Sequence, residues 1–87
     1  MKCYYIYILE CKDNSFYTGL TSNLEKRVNS HKIGLGSKFT KNKIPVKLVY
    51  WKKFKNKFDA AKREKEIKGY RREKKTILID KFKKSLH

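Results

Sequence analysis

The sequence predicts an α+β fold, a small three-stranded antiparallel sheet flanked by helices in the order β-β-α-β-α-α. Three observations predict it. An aromatic and β-branched run, Tyr4 to Cys11, is followed across a short polar turn by a second run, Phe16 to Leu20. A third such run, Val46 to Trp51, follows the lone Pro45. The remaining stretches carry apolar residues at helical rather than alternating spacing.

The first run has almost no polar member, which suits a central strand covered on both faces. Its exit, Lys12-Asp13-Asn14-Ser15, is rich in residues that tolerate left-handed backbone, so a hairpin follows. A three-residue loop, Asp13 to Ser15, places Tyr7 and Tyr17 on one face of the sheet; a two-residue loop places them on opposite faces. Ser22 and Glu25 form a capping box that starts a helix, which stops near Gly34. At about 100° per residue Leu24, Arg27, Val28 and His31 fall in one stripe, so Arg27 and His31 lie on or beside the packed side.

Residues 33–45 read as a basic loop with two glycines, without the glycine spacing of a phosphate-binding P-loop. Proline stands at the start of the third strand, where no ladder donor is lost. Asp59 then caps a helix from Ala60 to Lys68, ended by Gly69. On it Ala60, Glu64 and Ile67 share one stripe and Glu66 points nearly the opposite way, making Glu64 the inward acid. A last helix, Arg71 to Leu86, has Leu78 and Phe82 four apart and a very basic outer face.

Composition narrows the function. The 87 residues suit one domain, residues 1–87 with a core at about 4–79 and a basic C-terminal helix to 86. A chain of this size buries roughly 60% of the surface it exposes unfolded. The formal net charge is +16, from 24 Lys and Arg against 8 Asp and Glu, so nucleic acid is the expected partner. A mean hydropathy of -0.82 approaches that of disordered chains. The 14% of aromatic residues, grouped in bounded runs, argues for order instead. Cys3 and Cys11, some 26 Å apart on an extended strand, cannot pair. No cleavable leader or membrane-spanning run is evident, so a soluble, cytoplasmic protein is expected, with a monomer assumed.

Chemistry concentrates in five residues. An acid on an apolar stripe needs a partner or a cation, and Glu64 is that acid. Arg27 suits two-pronged contact with a phosphate and charge developing at phosphorus. His31, one turn on, can relay a proton near neutral pH. Tyr7 and Tyr17 carry phenols that a neighbouring cation makes easier to ionise. The other carboxylates show no clustering around Glu64 of the kind a two-metal site needs.

Tyr5-Ile6-Tyr7, then Tyr17-Thr18-Gly19, then Arg27, His31 and Glu64 within Arg63-Glu64-Lys65-Glu66-Ile67-Lys68, resemble a GIY-YIG nuclease domain. The match is to the small, stand-alone branch of that superfamily and covers about Tyr4 to Ile79. Lys38-Phe39-Thr40 and Pro45-Val46-Lys47-Leu48-Val49-Tyr50 also fit. Tyr5 stands where the family name has glycine and Thr18 where it has isoleucine. The asparagine that some relatives place after the acid is absent.

The resemblance implies a metal-dependent DNA endonuclease with one divalent ion, usually Mg2+, alternatively Mn2+. In that scheme Glu64 ligates the metal, Arg27 stabilises the scissile phosphate, Tyr7 or Tyr17 orients or deprotonates the attacking water, and His31 assists. Gly19, Lys38 and Thr40 are the expected substrate-binding positions, and branched or single-stranded DNA is within the substrate class. The alternative is a non-catalytic protein that binds DNA or RNA through the same basic surface; a ribosomal-type RNA-binding protein shares size and charge but gives Glu64 no reason to face inward.

Overall fold

The strands and helices of the computed structural model, which describes residues 2–86, follow the polarity of the chain closely. In order they are β1 (Tyr4–Glu10), β2 (Phe16–Thr21), α1 (Leu24–Lys32), α2 (Lys38–Lys41), β3 (Lys47–Phe54), α3 (Lys57–Lys68) and α4 (Arg72–Ser85). The sheet is antiparallel in the order β2-β1-β3, with the most apolar strand in the middle. Ile6, Tyr7, Ile8 and Leu9 are all fully buried because both faces of β1 are covered.

Alternation then divides the core in two. Ile6 and Ile8 join Val49, Tyr50, Ala60, Ile67 and Ile79, under α3 and α4. Tyr7 and Leu9 join Cys11, Val28 and Val46, with Tyr17, Leu24 and Leu48 at the margin, under α1. Full burial of an aliphatic side chain such as Ile6, Ile8 or Leu9 contributes about 1.5–3 kcal/mol, so β1 anchors both layers.

The hairpin loop is Lys12–Asn14, one residue earlier than expected. Cys11 N–H donates to Ser15 O at 2.9 Å, and Asn14 N–H donates to Cys11 O at 2.9 Å. Asn14 takes the left-handed conformation, φ +67°, that such a loop requires. A slip of the loop by one residue at both ends leaves the pairing parity unchanged. Tyr7 pairs with Gly19 and Leu9 with Tyr17, and the two tyrosines share a face.

Three helix starts differ from the sequence reading. Helix α1 is capped by Asn23, whose side chain accepts from Lys26 N–H at 3.1 Å, not by Ser22. Glu25 is then one position too early to reach back, so no capping box forms. Helix α3 starts three residues before Ala60, because Asn56 accepts from Asp59 N–H at 2.8 Å; Asp59 accepts from Asn56 Nδ2 at 2.9 Å and is the reciprocal partner rather than the cap. A one-turn helix, α2, interrupts the basic loop because Ser37 accepts from Thr40 N–H at 3.2 Å.

Helix α1 ends as its glycine predicts. Gly34 has φ +84°, Leu35 N–H donates to Ser30 O at 2.8 Å, and Gly34 N–H donates to His31 O at 3.0 Å. This is a Schellman ending, and it turns the chain sharply beside His31. Among the described residues no helix is long and apolar enough to cross a membrane.

Candidate active site

Tyr7 leaves the central strand on the α1 side and lies across β2. It can do so only because its cross-strand partner is Gly19: a Cβ there would stand 2.3 Å from Tyr7 Oη. The hydroxyl is hydrogen-bonded to His31 Nε2 at 3.0 Å, and both residues are fully buried. His31 Nδ1 is hydrogen-bonded to Thr40 Oγ1 at 2.8 Å, and Thr40 Oγ1 lies 3.1 Å from Ser37 Oγ. Gly36 lies flat against the imidazole, since a Cβ there would meet His31 Nδ1 at 2.3 Å.

This buried chain of hydroxyl, imidazole, hydroxyl and hydroxyl can be protonated in two directions. If Nδ1–H donates to Thr40, Nε2 accepts from Tyr7; if Thr40 donates to Nδ1, Nε2–H donates to Tyr7. Burial, reinforced by the nearby Arg27 charge, holds His31 below its ordinary range and so neutral near pH 7. Burial raises the Tyr7 phenol despite the opposing pull of Arg27, so Tyr7 is protonated at rest.

Arg27, Tyr17 and Glu64 all act on that one hydroxyl. The Arg27 guanidinium lies near enough to lower the Tyr7 pKa by hydrogen bonding and charge, although the contact falls short of a well-formed hydrogen bond; the charge of Glu64 and the neighbouring Tyr17 raise it. Arg27 is exposed and takes part in no ion pair among the described residues. Tyr17 is half-buried, its ring centroid 5.0 Å from that of His31 and 6.3 Å from that of Tyr7. Glu64 emerges from α3 between the buried Ala60 and Ile67, its side chain 20% exposed, and is paired with Lys68 at 3.3 Å.

Among the described residues no group of three or more His, Cys, Asp or Glu comes together. A closed zinc or calcium cage therefore does not fit. One partly exposed carboxylate does fit a magnesium-like ion, which keeps several of its own waters and takes one or two carboxylates together with substrate phosphate.

The structure thus packs Tyr7, Tyr17 and His31 together, with Arg27 beside the Tyr7 hydroxyl and the charge of Glu64 within reach of it. Lys38 is exposed on α2. Two expected substrate contacts lie elsewhere: Thr40 is fully buried against His31, and Gly19 is buried beneath the Tyr7 ring, so neither offers surface to a ligand. Gly36 and Ser37 were missed as members of the site. The Ser-x-x-Thr spacing was the signal available, a local cap that points the threonine back at the histidine.

The GIY-YIG catalytic domain profile matches residues 3–77. The chain belongs to the GIY-YIG family. Within it, the chain is similar to a UPF0213 protein of Clostridium perfringens, 53% identical over 86% of this chain and 81% of that one. It is also similar to a UPF0213 protein of Staphylococcus haemolyticus, 48% identical over 92% of this chain and 98% of the relative. The solution structure of a UPF0213 protein from Bacillus halodurans superposes with a TM-score of 0.60 at 41% identity, covering 90% of this chain and 83% of that one. The solution structure of a protein from E. faecalis superposes with a TM-score of 0.64 at 34% identity, covering 94% and 88%. GIY-YIG membership gives this sheet and its helices a nuclease-type fold and implies a nucleic-acid substrate.

Proposed function

We propose that this chain is a metal-dependent endonuclease that hydrolyses phosphodiester bonds of DNA, working as a monomer in the cytoplasm. The observation that carries the reading is the buried Tyr7–His31 hydrogen bond with the half-buried Tyr17 ring against it, a site whose central hydroxyl also feels the charges of Arg27 and Glu64.

Tyr17 is assigned to the attacking water. It is half-buried with its ring against His31, whereas Tyr7 has no exposed surface and its hydroxyl is held by His31. Tyr7 therefore orients: its oxygen is hydrogen-bonded to His31 and lies beside the Arg27 guanidinium. Arg27, exposed and in no ion pair among the described residues, grips the scissile phosphate and balances charge that builds at phosphorus. His31, kept neutral by burial, can take up a proton from the tyrosine pair. Glu64 would hold the divalent ion, Mg2+ or Mn2+, which supplies Lewis-acid polarisation of a phosphate oxygen when bound. Lys38 and the other exposed lysines neutralise the flanking backbone.

A binding-only protein is the second reading, favoured by the Glu64–Lys68 pair, which already satisfies the acid. Labelled single-stranded, flapped, branched and duplex DNAs incubated with magnesium or manganese separate the two. Cleavage that needs metal and is lost in Glu64→Ala, Arg27→Ala and Tyr17→Phe, with DNA binding retained, supports the nuclease. Binding without cutting, or equal cutting by the variants, leaves the second reading.

A further inference from the structure

Phe39 is a large apolar side chain left 43% exposed on a rigid support. Its neighbour Thr40 is fully buried and hydrogen-bonded to His31 at 2.8 Å, and Ser37 caps the single turn that carries both. The ring position is thus set by the candidate active site itself. The Phe39 and Tyr17 ring centroids are 5.7 Å apart, with planes only 30° from parallel. Lys43 Nζ stands over the Phe39 ring, 3.8 Å from its centroid, and is also paired with Asp13 at 3.3 Å. Lys38 and Lys41, on the same turn, are both exposed.

We propose that the Phe39 ring is a stacking platform for an unpaired DNA base beside the scissile phosphate, and that Lys43 covers this place until the strand arrives. Lys43 lies over the ring at close to the distance between successive stacked bases, about 3.4 Å. A base entering there displaces the ammonium from the ring, and the incoming phosphates offer it a new partner in place of Asp13. The basic side chains around an aromatic face complement a phosphate-linked base, which presents a flat π-surface between anionic groups. An internal base pair of a duplex is stacked on both sides, so only an unstacked base can use the platform. Single-stranded, flapped or mismatched DNA is therefore the substrate class. The location relative to the cut rests on the assignment of Tyr17 to the attacking water; the platform itself does not.

The test uses the full chain carrying Glu64→Gln, so that substrate survives, with and without Phe39→Leu or Phe39→Tyr. The probe is single-stranded DNA with 2-aminopurine at successive positions, beside a duplex of the same sequence. The expected result is a change in 2-aminopurine emission on binding and about a 5- to 150-fold loss of single-strand affinity in Phe39→Leu. Phe39→Tyr restores both, and duplex affinity changes less than about two-fold in either variant. The platform is refuted if Phe39→Leu binds single strands like its parent, if it loses duplex and single-strand binding equally, or if no position changes emission. Cleavage by the native chain is scored separately. A chain that stacks but does not cut defeats the nuclease and keeps the platform, and a chain that cuts without Phe39-dependent binding does the reverse.

Discussion

Replacing Gly19 by alanine adds one methyl group where the Tyr7 ring already lies. The new Cβ would stand 2.3 Å from Tyr7 Oη, 2.4 Å from Cζ and 2.9 Å from Cε1. Carbon atoms settle at about 3.5–4.0 Å, so ring or strand must shift by more than about 1 Å. Neither moves freely. Tyr7 is fully buried, Gly19 is its cross-strand partner, and the hydroxyl is tied to His31. Overpacking of this kind costs about 1–3 kcal/mol, and loss of the hydrogen bond about 1 more, together about 2–4 kcal/mol. A domain of this length is stable by roughly 4–13 kcal/mol, so the change removes a large share. The melting temperature should fall on the order of 10–25 °C.

Circular dichroism with heat and urea measures this directly. In a Tyr7→Leu background none of the three clashing atoms remains, and the cost of Gly19→Ala should drop below about 1 kcal/mol. A Gly19→Ala protein melting within about 3 °C of the native chain, or costing the same in both backgrounds, would refute the reasoning.

Four further outcomes follow from other contacts of the fold. Thr40→Val removes the partner of a buried imidazole nitrogen and should destabilise by about 1–3 kcal/mol, while Thr40→Ser keeps the hydroxyl and recovers most of it; equal melting of the two variants would remove Thr40 from the chain. Burial holds His31 below its usual 6.5 in the folded state, so the unfolded chain binds the extra proton and stability should decline as pH falls below about 6.5; His31→Gln should flatten that slope in melting curves, and an unchanged slope counts against the assignment. Asp13 behaves differently: hydrogen bonds from Ser15, with help from Lys43, pull it from 3.8 to about 2, so its contribution is complete above 3.8 and lost as pH falls through 2, and Asp13→Asn should remove that later loss without touching the first. Glu64→Gln breaks only an i,i+4 pair whose lysine is more than half exposed and should cost no more than about 0.5 kcal/mol, so any large loss of activity in it reflects chemistry rather than unfolding.

Much of the fold was legible because it rests on local patterns. The near-absence of polar residues from Tyr4 to Leu9 marked the central strand, and the pairing parity of Tyr7 and Tyr17 followed from a short odd-length loop even though its limits were off by one. The stripe of Ala60, Glu64 and Ile67 placed an acid at the core margin, where the structure has it. The caps were less legible. Ser22 and Asp59 are good capping residues, but Asn23 and Asn56 compete with them locally, and which amide closes the turn depends on the exact entry of the chain.

By itself, then, the sequence determined which segments are strands and helices, which face each buries, and which residue types carry charge or titrate, because these depend on periodicity and composition over a few residues. Only the tertiary structure decided what each site residue touches. Thr40 is 9 residues from His31 and Tyr7 is 24 away, and whether their polar atoms meet at hydrogen-bond distance depends on how α1 is set over the sheet and how Gly34 and Ser37 turn the chain back. The same holds for Gly19 and Phe39. From the sequence Gly19 was expected to meet the substrate and Phe39 had no role of its own; the structure has the Tyr7 ring crossing the one and Lys43 covering the other. Hydrogen bonds and ring contacts are lost within about an ångström, finer than any spacing along the chain specifies.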